Sequence, residues 1–183
     1  MTDCLEGCVF CNIVNKELNL HLKNGENCVV IKDQSPHAPH HFLVLSKKHI
    51  SRPSDLTVEH IPLVKEMEEA GRECLRKALK GNGDADTVEA MLRIGFHRPP
   101  FLTVNHLHMH VLYPVQEMKF FYKNIVYRPG HFFRLSKTII EELEKIKNRD
   151  GSTDLEKKME GNPAIGDPKD PVEPKIQAAA VAN

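Results

Sequence analysis

Apolar and polar positions change period several times along this chain. The most regular run is His106-Leu107-His108-Met109-His110-Val111-Leu112, where imidazoles alternate with Leu, Met and Val. A period of two predicts a strand with three histidines on one face and the apolar set on the other. Residues 27–32 and 42–45 read as two further buried strands, and Asp33-Gln34-Ser35-Pro36 breaks the first of them with a turn. From about residue 60 to 80 the period becomes helical, through Leu63, Met67, Ala70, Cys74 and Ala78. Pro62 suits the first turn there, and Gly81 and Gly83 supply the stop. Residues 87–96 predict another strand, and 97–105, with Pro99-Pro100, a stiff loop feeding the histidine run. Leu135, Ile139, Ile140, Leu143 and Ile146 predict a second helix over 135–147. Beyond Arg149 aromatics vanish and Pro163, Pro168, Pro171 and Pro174 punctuate a polar segment that cannot repay its ordering entropy. The expected organisation is one domain over residues 1–148 and a disordered tail over 149–183.

Composition narrows the function classes. With 40% hydrophobic residues in 183, one proper core can be buried, and no second domain is needed. Lys+Arg and Asp+Glu both number 25, so the molecule as a whole has no electrostatic reason to cling to nucleic acid or membrane, although a local patch still could. The first residues lack a basic and then apolar leader, and no run of about 18 apolar residues occurs. The chain therefore reads as soluble and intracellular, in the cytoplasm or also the nucleus, with no membrane partner. Five cysteines, odd in number and unevenly spread, argue against a secreted disulfide framework.

The histidine run carries the chemistry. Same-face residues on a strand lie roughly 6.6 Å apart, so neighbouring rings can hold different oxygens of one phosphate. Neutral imidazole can attack phosphorus while others donate protons to non-bridging oxygens. His108, flanked on its face by His106 and His110, is the natural nucleophile, with charge stabilisation by His110 and loop donors. The competing readings are a His-x-His zinc pair and a strand merely lined by histidines. Cys8-Val9-Phe10-Cys11 can likewise hold zinc, act as a redox dithiol, or be two small buried hydrophobes. Asp33 either caps its turn or accepts a ribose diol. His37, His40, His41 and His49 flank the second strand; each alone suits a solvated loop, but their density beside the triad draws at least one into the site. Loop backbone N–H groups, Arg98 and the Thr103 hydroxyl are further phosphate donors. Over 119–137, Lys119, Lys123, Arg128, Arg134 and Lys137 interleave with Phe120, Phe121, Tyr122, Tyr127, Phe132 and Phe133. Such a segment can track a nucleic acid, or pack its rings on the sheet and leave the basic heads in water.

His106-Leu107-His108-Met109-His110-Val111-Leu112 resembles the signature of the histidine triad superfamily of nucleotide hydrolases and transferases. Ala38 to Ile50 is similar to that family's second block and Cys8-Val9-Phe10-Cys11 to its opening, so the resemblance covers about residues 7–147. Gly95-Phe96-His97 before the prolines and the Tyr127 to Phe133 ending look most like the type-3 branch of the histidine triad nucleotide-binding proteins, with the aprataxin catalytic domain as a near relative.

The resemblance implies an α+β fold with a mainly antiparallel five-stranded sheet and two helices, paired as a homodimer. It implies hydrolysis of adenosine 5'-phosphoramidates, lysyl-AMP among them, without a catalytic metal. His108 would become adenylylated, with His110 on the phosphate and His106 and His41 as supporting imidazoles. Thr103 stands where the family often has a phosphate-binding Ser. Asp33 would take the ribose hydroxyls with Gln34 beside it, and Phe10 and Ile13 would lie near a purine. Zinc-bearing members resemble this chain at Cys8, Cys11, His49 and His106, although other members lack the metal. A His106 that binds zinc cannot also hold phosphate. Two departures, Gln34 where Ile is usual and the stretch 97–102 in place of a Gly-rich phosphate loop, bear on substrate and rate. The alternatives are an aprataxin-like deadenylase or nucleic-acid binder using residues 119–137, against which no zinc-finger motif follows residue 150, and a nucleotide-binding adaptor with negligible turnover.

Overall fold

A computed structural model describes residues 4–80 and 85–160, excepting the side chains of residues 85 and 150–160. The histidine run enters the sheet two residues later than its pattern predicts, as β5, His108–Tyr113. The residues leading into it are tied elsewhere: Leu107 N–H donates to the Ile50 carbonyl at 2.6 Å, and the Leu107 carbonyl accepts from Ser46 N–H at 3.2 Å. The other strands are β1 (Lys23–Asn24), β2 (Cys28–Lys32), β3 (His40–Ser46), β4 (Arg93–His97) and β6 (Phe133–Leu135). All pair antiparallel, in the order β1-β2-β3-β5-β4-β6. Among the described residues the sheet thus has six strands rather than five. The edge strands β1 and β6, two and three residues long, are too short to show a period in the sequence.

Among the described residues four α-helices stand where two were expected: α1 (Val9–Lys16), α2 (Ile61–Ala78), α3 (Ala85–Met91) and α4 (Ser136–Glu160). The strand expected over 87–96 divides, with α3 first and β4 only from Arg93. Arg72 of α2 pairs with Glu89 of α3 as well as with Glu68, and strand partners exist only from residue 93 onward. Helix α4 continues to Glu160, past the point where the tail was expected to begin. Residues 161–183 of that expected tail lie outside the described residues. Among the described residues no helix is long and apolar enough to cross a membrane.

Register decides which side of the sheet does chemistry. Leu43 opposes His110 and Leu45 opposes His108, so both imidazoles share a face with those leucines and with Val29 and Ile31, under Phe10, Ile13 and Val14 of α1. Phe42 opposes Val111 and Val44 opposes Met109, and these point the other way, against Val64, Met67, Ala70 and Leu75 of α2 and Ile139 and Leu143 of α4. Each such buried side chain contributes roughly 1.5–3 kcal/mol, which makes that apolar face the foundation of the domain. Gly71 lets α2 approach closely, since a Cβ there would lie 2.6 Å from Val111 Cγ2.

At Gly95, where β4 meets β6, a Cβ would lie 2.3 Å from the Arg134 carbonyl oxygen and 2.8 Å from Phe133 Cε1. Gly95→Ala must therefore push the strands apart, at an expected loss of about 1–3 kcal/mol. A urea midpoint equal to that of the parent would contradict this close approach.

Candidate active site

The His108 and His110 rings, alternate residues of β5, stand 5.1 Å apart at the floor of a cavity of about 560 Å³. Helix α1 supplies one wall through Phe10, whose ring lies 5.0 Å from that of His108, and Ile13. Asp33 and Gln34 come from the turn after β2, and Thr103 from the loop before β5. Seven residues singled out in the sequence therefore line one space. His41 and His106 do not line it.

Hydrogen bonds assign the tautomers, because a carbonyl or a backbone N–H has only one role. The His106 carbonyl lies 2.6 Å from His108 Nδ1, so Nδ1 carries the proton and Nε2 keeps its lone pair. Burial holds the His108 pKa below the usual imidazole range, preserving that lone pair. His37 N–H donates to His41 Nδ1 at 3.2 Å, leaving a proton on His41 Nε2, which lies 3.0 Å from His110 Nδ1 and 3.3 Å from Asp33 Oδ2. His110 must then carry its proton on Nε2, a buried nitrogen with no protein partner. His41 thus supports His110 from behind. Asp33 Oδ1 accepts Ser35 N–H at 2.7 Å within the turn, and the residue also borders the cavity. Burial raises its pKa, the Ser35 bond opposing.

His106 faces elsewhere. Its Nε2–H donates to the Ser46 carbonyl at 2.8 Å, and its Nδ1 lies 3.5 Å from the sulfurs of both Cys8 and Cys11. His49 Nδ1 is 3.4 Å from Cys11 Sγ, and the four donor atoms all lie within 4.8 Å of one another. Zn–S and Zn–N bonds of about 2.3 and 2.0–2.1 Å at a tetrahedral angle place sulfur and nitrogen about 3.6 Å apart, so this set fits the ion. Cys8 also caps α1, its sulfur accepting Cys11 N–H at 3.5 Å. The supporting phosphate role expected of His106 is corrected accordingly. Only the backbone carbonyl of this residue meets His108, because its ring is turned to the thiols.

One cavity residue, His97, escapes the sequence reading. His97, placed there in a loop, is the last residue of β4 and is buried, its ring 4.7 Å from that of His110. Continuing the period of two through Arg93, Gly95 and His97 would have found it. His37 stacks on Tyr122 at 3.7 Å, and Tyr127 packs edge-on to His41 and His110. Segment 119–137 divides between its two readings. Tyr127 and Phe133 are core, pinned through Arg93, which donates to the Lys123 and Tyr127 carbonyls, while Phe120 and Phe121 are exposed.

A family model described as scavenger mRNA decapping enzyme C-term binding matches residues 7–126. The chain belongs to this histidine triad family. Among curated relatives it is 36% identical to adenosine 5'-monophosphoramidase HINT3 of Xenopus tropicalis, over 75% of this chain and 87% of that protein. It is also 36% identical to bifunctional adenosine 5'-phosphosulfate phosphorylase/adenylylsulfatase HINT4 of Arabidopsis thaliana, over 57% of this chain and 68% of the relative. The solved structure of the aprataxin ortholog Hnt3 from Schizosaccharomyces pombe shares the fold, with a TM-score of 0.56 at 17% identity, covering 78% of this chain and 74% of that one.

In this histidine triad protein the buried imidazoles link stability to pH. Burial pushes His97 down to about 4 and His41 to about 3, while both titrate near 6.5 when unfolded. Between those values the unfolded chain binds more protons. The contribution is therefore complete above pH 6.5 and is lost as pH falls towards 4 and 3. Thermal melts should show Tm dropping steadily from pH 7 to 4.5, with a shallower slope in His41→Gln; equal slopes would contradict it.

Proposed function

We propose that this protein is an adenosine 5'-monophosphoramidase acting through an adenylyl-His108 intermediate. The observation that carries the reading is the pair of complementary tautomers: a His108 Nε2 lone pair held by the His106 carbonyl, beside an unpartnered His110 Nε2–H on the same cavity floor. In this reading Phe10 and Ile13 lie near the purine and Asp33 takes the ribose hydroxyls; all three line the cavity. His108 Nε2 then attacks phosphorus, the P–N bond breaks, and the nitrogen leaves as an amine after gaining a proton. His110 donates to a non-bridging oxygen as charge builds there. Water next cleaves the P–N bond to His108, releasing AMP and restoring the imidazole. The names of the curated relatives support this substrate class.

The reading includes a zinc ion on Cys8, Cys11, His49 and His106, which when bound is structural, tying α1 to the lead-in of β5. It also includes the homodimer that the family resemblance implies. A second reading, binding of nucleic acid, is favoured by one observation: Phe120 is 78% exposed next to Phe121 at the cavity wall, with Lys119 and Arg128 in solvent.

Rapid quench with an AMP amide should leave the intact protein heavier by one adenylyl group, and His108→Ala should show neither that adduct nor more than roughly a ten-thousandth of the activity. Full turnover by that variant would end the reading. Metal analysis of protein grown with zinc should give about one ion per chain. Cys11→Ala should carry none and melt at lower temperature; an unchanged metal content would exclude these ligands. In the second reading, affinity for adenylated DNA falls steeply with salt and is lost when Lys119, Lys123 and Arg128 are neutralised.

A further inference from the structure

Cys4 has no part in the chemistry at His108 or in the four-donor cluster, yet the chain folds it against that cluster. Cys8 N–H donates to the Leu5 carbonyl at 3.2 Å, closing a turn in which Gly7 takes a left-handed φ of 81°. This reversal carries residue 4 back onto α1. Asn15 Nδ2 donates to Cys4 Sγ at 3.4 Å and to the Cys11 carbonyl at 2.8 Å, and Leu5 N–H donates to Cys11 Sγ at 3.4 Å. The side chain of Cys4 and the N–H that follows it are thereby held at the Cys11 turn of the helix, and the two sulfurs hydrogen-bond each other.

The two thiols differ in access. Cys11 is only 1% exposed and its sulfur is the hub of the cluster, 3.4 Å from His49 Nδ1 and 3.5 Å from His106 Nδ1. Cys4 is the one exposed cysteine among the described residues. A solvent-borne oxidant therefore meets Cys4 first, with the Cys11 thiol waiting behind it. We propose that Cys4 and Cys11 are a redox pair that hydrogen peroxide converts to a disulfide, withdrawing the Cys11 sulfur from the metal-binding set. The Cys4 sulfur takes one oxygen from peroxide, giving a sulfenic acid and water. The Cys11 sulfur then attacks that sulfur, and its proton leaves with the displaced hydroxyl as a second water. Two thiols are oxidised to one disulfide while one peroxide is reduced to two waters. The bond needs an S–S distance of about 2.05 Å. Cys4, ahead of α1 and outside any helix or strand, supplies that movement while Cys11 stays in its helical turn. Three donors then remain, too few for a tetrahedral protein site, so a zinc ion held by all four is released. That release rests on the zinc reading; the disulfide does not.

The test treats the full chain, prepared with zinc and again after chelation, with hydrogen peroxide. Remaining thiols are then blocked with N-ethylmaleimide and the chain is cleaved after Glu6, which parts Cys4 from Cys8 and Cys11. In both preparations mass spectrometry should find the two fragments joined, lighter by the two thiol hydrogens, with the blocking group on Cys8 and separation on reduction. The zinc-loaded protein should lose about one ion per disulfide to a chromogenic chelator. Cys4→Ser keeps all four donors of the cluster, so it should bind zinc as the parent does, form no such linkage and release its ion far more slowly under peroxide. A Cys8–Cys11 linkage in the parent, free thiols at Cys4 and Cys11 after oxidation of the metal-free protein, or metal loss from Cys4→Ser as fast as from the parent would overturn the pairing. The linkage found in a protein that binds no zinc would overturn the metal reading alone and leave the redox pair standing.

Discussion

The pairing of β3 with β5 is the constraint from which the rest follows. With Leu43 opposite His110 and Leu45 opposite His108, the imidazoles share the α1 side and Met109 and Val111 face α2. A slip of one residue would reverse both sets, placing two imidazoles in an apolar core and two apolar side chains in a polar cavity. The register is held by what it buries on the side away from chemistry. The site inherits its precision from the packing of a face that never meets substrate.

His106 joins two parts of the molecule that serve different ends. Its ring faces Cys8 and Cys11, while its carbonyl, 2.6 Å from His108 Nδ1, selects the tautomer of that imidazole. Phe10 lies between the two cysteines in sequence and packs edge-on against both His106 and His108. Whatever fixes α1 against the lead-in to β5 therefore also fixes the Phe10 wall of the cavity and the ring of His108. The shared backbone links the Cys8, Cys11, His49 and His106 cluster to the cavity floor.

Crowding of imidazoles beneath the cavity is tolerable because they are neutral. Burial depresses His41, His97, His108 and His110 alike, and the alternating donors and acceptors from His37 N–H through His41 to His110 replace the water they lose. His110 Nε2, at the end of that arrangement, has no protein partner. The neutral imidazoles share that cavity with the Asp33 carboxylate and Lys32 at its border.

Local patterns carried much of this from the sequence alone. Alternation in residues 106–112 marked the strand and its two faces, the 3.6-residue stripe from Leu63 to Ala78 marked α2, and the motifs spread over residues 7–147 marked the family. Those signals persist because each depends on neighbours within a few positions. Short edge strands, the division of residues 85–97 into α3 and β4, the burial of His97 and the turning of the His106 ring to the thiols were legible only in three dimensions. Each of these is decided by a partner distant in the chain: Arg134 and Phe133 for β4, the Cys8-Cys11 pair 95 or more residues from His106. Periodicity reports which face of an element is apolar; which polar group it meets is set by long-range packing.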